Sequence, residues 1–349
     1  MAKSRTSTGR KRIAVERAFD PEQRVVAVTG AHGFFGSQVI RQLEEDRRYY
    51  KILAIDIRRP EVPMDKTQFH KVDLTSPTAD AEVAAVLARE GADTLVHAAF
   101  LYGPTHAESW AHELELIGTI RVLNAAAEVG LRKLVQWSLT AVYGAYHDNP
   151  NFLTESHPLR GHPVSRYLRD RIAAEEEVRT FRAEHPETIV TVLRTANTIG
   201  PTIPNFVTRY FRTPAVPVLM GYDPLMQFLH EEDAVDAFKL AVDNDVPGVF
   251  NIAADGVLPY STVLAMMGRV PLPVPTFFAF PLAHALWVAQ ALETPPSFLD
   301  QLRYLCVSDT RAARERLGFQ PRFDIRSAIH DFLGVELEPG DLASEGGRA

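Results

Sequence analysis

The chain of 349 residues has one cysteine, Cys306, which permits no internal disulfide and no cysteine-based zinc site, and suits a reducing compartment. It has no excess of positive charge. Thirty-seven basic residues stand against 44 acidic ones, for a net charge of -7, so no overall field draws the chain to nucleic acid, and a small-molecule partner is expected. No membrane span is expected either. The longest uncharged run, Val270 to Leu292, contains Pro271, Pro273, Pro275 and Pro281, which leave about 12 helical residues where a span needs about 20. A buried or interfacial helix fits it better. Internal repeats and low-complexity tracts are missing, which removes solenoids and propellers. Twelve histidines invite metal hypotheses, but none falls in a zinc-binding spacing with the expected context, and no metal site is expected.

What is present is a globular composition, 46% hydrophobic and 23% charged, which excludes a disordered or collagen-like chain. Residues 1–12 carry Lys3, Arg5, Arg10, Lys11 and Arg12 without an acid, and no apolar segment follows, so no secretory signal is expected and the localisation reads as cytoplasmic. Residues 1–23 read as a solvated basic arm, with an anchor for anionic lipid or a partner as the sharper alternative. From Glu336 on, four acids face one arginine, and residues 335–349 read as an acidic tail.

Between Arg24 and Val135 short apolar runs alternate with longer segments of helical period, the pattern of βαβ units around a parallel sheet buried on both faces. Strands are expected at Arg24–Val28, Lys51–Ile57, Gln68–Val72, Thr94–Ala98 and Lys133–Trp137. Helices are expected at Ser37–Glu44, Asp80–Arg89 and Glu113–Val129, with Gly91 and Gly130 as stops. Right-handed crossovers then give a Rossmann-type, doubly wound α/β fold over residues 24–200. After about residue 200 prolines break this rhythm, and residues 201–334 read mainly as a smaller C-terminal lobe for substrate.

The strongest chemical signal is Thr29-Gly30-Ala31-His32-Gly33-Phe34-Phe35-Gly36, between the first strand and the first helix. Gly30 permits a tight turn, Gly33 lets the backbone approach a pyrophosphate, and Gly36 lets helix and strand pack closely. The helix N-terminus offers unpaired N–H groups to phosphate. Asp56 follows 20 residues after Gly36, at the end of the next strand, where a carboxylate accepts from ribose hydroxyls and repels a 2′-phosphate. NAD is therefore favoured over NADP, although Arg58 and Arg59 lie just beyond and are placed to grip such a phosphate. His32, inside the loop, points either at the pyrophosphate or into a substrate channel.

The spacing G-x-x-G-x-x-G resembles the extended short-chain dehydrogenase/reductase superfamily, and within it the NAD-dependent epimerase/dehydratase branch, UDP-glucose 4-epimerase-like. Other segments agree in order: Asp73-Leu74, His97-Ala98-Ala99, Gly118-Thr119, Val142-Tyr143-Gly144, Leu193 to Asn197, Phe228 to Ala234 and Asp309 to Pro321. The resemblance implies an adenine contact at Asp73-Leu74 and a nicotinamide-ribose wall at Ala98-Ala99. It implies a hydroxyl-bearing, nucleotide-sugar-like substrate, contacted by Arg194, Asn197 and the 202–227 segment, and a homodimer.

Family chemistry uses a Tyr-x-x-x-Lys pair and a serine or threonine at the end of the fifth strand. Here Tyr167 matches the tyrosine, but Arg171 stands at the lysine position. Arginine keeps the charge that lowers a tyrosine's pKa without reproducing a lysine's bonds. The hydroxyl position falls on Leu139. Thr140 is a substitute donor only if a twist turns it inward, and is otherwise structural. Glu115 replaces the asparagine that helps to orient the lysine, and is expected to pair with Arg171. A dehydratase's Asp-Glu pair is replaced by Thr140 and Ala141, so dehydration is disfavoured. Epimerisation or oxidoreduction with NAD is expected. The alternatives are a net NAD(P)-dependent oxidoreductase for a less polar alcohol or ketone, and a non-catalytic dinucleotide-binding sensor or scaffold.

Overall fold

The computed structural model describes residues 20–334 except 22 and 293–294, so the basic residues of the arm and the whole acidic tail lie outside the described residues. The strands, in chain order, are β1 (Arg24–Thr29), β2 (Tyr49–Asp56), β3 (Thr67–Lys71), β4 (Thr94–His97), β5 (Lys133–Leu139), β6 (Ile189–Thr195) and β7 (Asn197–Ile199). They continue with β8 (Ala215–Leu219), β9 (Leu225–Met226), β10 (Phe228–His230), β11 (Gly248–Ile252), β12 (Leu258–Pro259) and β13 (Val270–Val274). The α-helices are α1 (Phe34–Glu45), α2 (Ala79–Glu90), α3 (Glu108–His112), α4 (Gly118–Val129) and α5 (Arg166–Glu184). After them come α6 (Phe206–Arg212), α7 (Glu231–Asp243), α8 (Tyr260–Met266), α9 (Thr276–Val288) and α10 (Ile325–Leu333).

Seven strands form one parallel sheet in the order β11-β6-β5-β4-β1-β2-β3. This is the doubly wound Rossmann-type fold expected from the apolar pattern. Alternate residues of β1 enter opposite cores: Val26 and Val28 join Phe35, Val96 and Trp137 on one face, while Val25 and Ala27 join Leu53, Leu95 and Leu134 on the other. A strand buried on both faces has no polar side to show in its sequence, which is why these segments read as unbroken apolar runs. The strand order reverses between β1 and β4, and the carboxyl ends of strands flanking such a reversal form a crevice. A third apolar cluster gathers Ile199, Phe211, Phe228, Tyr260 and Phe332 from later segments.

Two local expectations change. The periodicity over Glu113–Val129 predicts one helix, but Glu113–Ile117 forms a π-helical turn between α3 and α4. The wider turn rotates the residues that follow it, and such turns concentrate at functional sites. The uncharged run divides into β13, paired with β8, and α9, which carries Pro281 inside it. Among the described residues no helix is long and apolar enough to cross a membrane. Yet α9 is poorly covered, with Ala279 its one buried residue and Phe277 84% exposed.

The crossing of β1, α1 and β4 is tight. Gly30 has φ +70°, and a Cβ there would meet the Ala98 carbonyl at 2.6 Å; one on Gly36 would lie 2.1 Å from the Gly30 oxygen. Gly36→Ala should therefore destabilise the chain by about 1–3 kcal/mol through overpacking. A urea midpoint unchanged from the parent chain would show that α1 can retreat at no cost.

Candidate active site

The turn from β1 into α1 presents the open end of a helix to the crevice. Gly33, the residue before α1, provides no side-chain cap, so the first-turn N–H groups are left for other acceptors. One of them is taken: Phe35 N–H donates to Tyr102 Oη at 2.9 Å, and a Cβ on Gly33 would lie 3.0 Å from that oxygen. Asp56, half-buried at the end of β2, accepts the N–H groups of His32 (3.0 Å) and Arg58 (3.2 Å). The exposed His32 ring turns toward the Arg59 carbonyl, 3.1 Å away. Asp73 is exposed and caps its own turn by accepting from Thr75, while Leu74, Ala98 and Ala99 are buried around the loop.

Ser165 caps α5 by accepting the Leu168 N–H, and Tyr167 and Arg171 follow one turn apart. Arg171 is 1% exposed. Its guanidinium carbon lies 4.2 Å from the centre of the Phe100 ring and 4.6 Å from that of Trp137, and Nε is 3.3 Å from Glu115 Oε1. The expected Glu115–Arg171 pair is thus formed. Both partners also hold one peptide residue: Glu115 Oε1 accepts the Leu101 N–H at 3.0 Å, and Arg171 Nη2 donates to the Leu101 carbonyl at 2.6 Å. Glu115 reaches this point because the π-helical turn carries it inward, where it is fully buried. Arg171 Nη1 and Glu115 Oε2 make no hydrogen bond, so a buried donor and acceptor remain for a polar ligand.

Tyr167 Oη donates to the Leu101 carbonyl at 3.4 Å. Burial pushes its phenol up to about 12, against the opposing pull of the Arg171 charge. Burial likewise pushes Glu115 up to about 7, with Arg171 again opposing. His97 is fully buried between Thr29 Oγ1 (2.6 Å) and Thr119 Oγ1 (3.1 Å). Desolvation drives it down to about 3, so it stays neutral and structural.

Tyr167 faces a cleft open to solvent, whose walls include Leu139, Trp137, Asn197, Phe206 and Phe298. Among the described residues, none that lines it is charged. Asn197 stands in the wall as expected, and so do Ile203, Asn205, Phe206 and Val207 from the 202–227 segment. Arg194 and Thr140 do not. Arg194 is buried on β6, where Nη2 meets Glu175 Oε2 at 2.6 Å and Nη1 meets Tyr143 Oη at 2.7 Å. Thr140 lines a smaller neighbouring cleft beside Cys306, because β5 ends at Leu139 and Thr140 opens a 3-10 turn over Thr140–Tyr143. Sequence reasoning missed Tyr102, whose hydroxyl sits on the first turn of α1. Its one signal was its place, five residues after His97 in the loop following β4.

The profile of the NAD dependent epimerase/dehydratase family matches residues 26–253. The chain belongs to this family. An uncharacterized protein of Mycobacterium tuberculosis, Rv0501, is 32% identical over 93% of this chain and 89% of its own length. The dTDP-D-glucose 4,6-dehydratase of Mus musculus is 28% identical over 66% of this chain and 68% of its own. Among solved structures, the Thermus thermophilus UDP-glucose 4-epimerase in complex with NAD superimposes with a TM-score of 0.68, at 20% identity, over 89% of this chain and 98% of that one. The family's cofactor is NAD. This chain fits it: a helix end uncapped over Gly33, a carboxylate closing β2, and unpartnered buried polar atoms on Arg171 and Glu115.

The family's lysine position is here one half of a buried ion pair, which makes its energetics testable. Removing either partner leaves an uncompensated buried charge and should cost about 3–5 kcal/mol, whereas replacing both with apolar residues should cost less than either single change. Arg171→Met, Glu115→Leu and the double variant, compared by urea unfolding, check this. Additive losses would mean that the two residues do not depend on each other.

Proposed function

We propose that this chain catalyses reversible, NAD-dependent hydride transfer at a hydroxyl-bearing carbon, as an epimerase or an oxidoreductase, with Tyr167 carrying the proton. The observation that carries this reading is the placement of a phenol in the cleft wall one helical turn from a buried, obligate cation. Gly30, Gly33, Phe34, Phe35 and Gly36 would hold the pyrophosphate of NAD, with His32 beside them. Asp56 would hold the adenosine ribose, Asp73 and Leu74 the adenine, and Ala98, Ala99, Tyr167 and Arg171 the nicotinamide riboside. When bound, NAD supplies the hydride acceptor, so that a carbinol becomes a ketone with formation of NADH while the hydroxyl proton passes to Tyr167 Oη. Arg171 favours the phenolate by its charge. Leu139 donates nothing, so substrate orientation falls to the cleft walls and Asn197.

A nucleotide-sugar substrate is supported by the names of the related enzymes, a UDP-glucose epimerase and a dTDP-glucose dehydratase. Dehydration of a keto-sugar is disfavoured by Thr140 and Ala141, which stand where an acid/base pair would be needed. A second reading, net oxidoreduction of a less polar alcohol or ketone, is favoured by the uncharged cleft and by the engagement of Arg194 with Glu175. A diphosphate is commonly held by arginine or lysine, and among the described residues the cleft offers neither.

Because Tyr167 must lose its proton to accept one, and its pKa is raised, alcohol oxidation should climb about tenfold per pH unit between pH 7 and 9. Ketone reduction, which uses the protonated phenol, should lack that rise. Tyr167→Phe should lower kcat/KM by about 10²–10⁴-fold. NADH absorbance, with epimer formation followed by NMR, measures both; turnover unchanged by Tyr167→Phe removes the mechanism. Tyr102→Phe frees the Phe35 N–H for phosphate and should tighten NAD binding about two- to tenfold by calorimetry. Weaker binding would mean that Tyr102 assists NAD instead of competing with it.

A further inference from the structure

Beneath α9 lies a chamber of about 310 Å³, open on one side, which the proposed proton chemistry does not use. Its lining includes Leu282, Ala283, Leu286, Leu299 and Leu302. The side-chain hydroxyls in its wall are already engaged: Tyr210 Oη lies 2.7 Å from Tyr260 Oη, and Thr213 Oγ1 donates to the Tyr210 carbonyl at 2.6 Å. Among the described residues, neither charge nor a free polar side chain is left there for a sugar or a phosphate. Interiors are close-packed, and apolar walls with no partner atoms forfeit their dispersion contacts, so such a space favours an apolar occupant.

The chamber adjoins the Tyr167 cleft. Pro295 and Phe298 line both, and the Phe298 ring packs edge-on against Phe206 on the cleft side and Tyr210 on the chamber side, at 5.3 and 5.4 Å. Toward solvent, Leu282 lines the chamber and is 40% exposed. Phe277, Phe278 and Val288 of the same helix are exposed as well. A helix apolar all round is ordinarily buried; here its uncovered side borders the chamber's mouth. The chamber thus opens beside an apolar surface and shares the wall of Pro295 and Phe298 with the cleft that holds the phenol.

We propose that this chamber seats the aliphatic chain of the substrate, an uncharged long-chain alcohol or ketone of alkyl or isoprenoid type, with its oxygen-bearing carbon at Tyr167. The placement of that carbon rests on the hydride-transfer reading; the chain site does not. Calorimetric binding of 2-alkanols from six to ten carbons to the full chain, with and without NADH, tests it. The dissociation constant should fall about three- to fourfold per added methylene. Ala283→Trp, which fills the chamber, and Leu286→Gln, which makes its wall polar at nearly constant volume, should each flatten that dependence. Equal affinity at all lengths, a length dependence that survives both variants, or binding of UDP-glucose tighter than that of every alkanol would overturn the proposal. If the length dependence is present and both variants abolish it, yet no alkanol yields NADH, the chain site stands and the hydride-transfer reading falls.

Discussion

The charge on Arg171 has no route to water, and the surroundings of Tyr167 are arranged around that fact. An isolated buried guanidinium would be prohibitive. It is tolerated because Glu115 faces it, Phe100 and Trp137 offer their ring faces, and the Leu101 carbonyl accepts from it. Each requirement constrains a different element. Glu115 needs the π-helical turn to reach inward, Trp137 must sit near the end of β5, and the loop after β4 is held at Leu101 by both charged partners. That grip also positions the next residue, Tyr102, against the first turn of α1.

Arginine in place of lysine therefore changes more than one side chain. A lysine ammonium is a compact charge on a flexible stem, whereas the planar guanidinium can be held between aromatic faces while it forks to a carboxylate and a carbonyl. The same burial raises the Tyr167 phenol, and the opposing pull of Arg171 is shared with Glu115. The cleft in front of Tyr167 is uncharged, its hydroxyl position is leucine, and the chamber next to it is apolar. These features agree with one another: among the described residues no cation that would hold a diphosphate lines either space, and the side-chain hydroxyls of the chamber are already engaged.

Much of this was legible in the chain. The five strands from Arg24 to Trp137 appear within one or two residues of their expected bounds, the inner ones because strands buried on both faces must be apolar throughout, while β3 lies at the sheet edge with Gln68, His70 and Lys71 in it. The glycine loop was legible because Gly30 and Gly36 answer to backbone contacts under 3 Å, which no other residue satisfies. The Glu115–Arg171 pair was legible because the family resemblance marks both positions as departures and their charges balance. Less of the lobe could be read. Arg194 looked like a substrate contact from its place near the end of β6, but β6 lies beside β5, and Glu175 on α5 claims the guanidinium across that packing. Thr140 looked like a possible donor, but β5 ends at Leu139 and a 3-10 turn carries Thr140 into the neighbouring cleft. The π-helical turn left no trace, since its residues keep a helical composition.

Local chemistry thus made legible the parallel sheet, the glycine loop and the departures at Leu139, Arg171 and Glu115, since each depends on residues close together in the chain or on a repeating apolar period. What only tertiary structure decided is which polar groups remain available. Arg194 is consumed by Glu175, Tyr102 by the Phe35 N–H, and Arg171 by Glu115 and Leu101, all across long sequence separations. The uncharged cleft and the chamber under α9 are likewise spaces between elements, formed by residues whose spacing along the chain says nothing of their meeting.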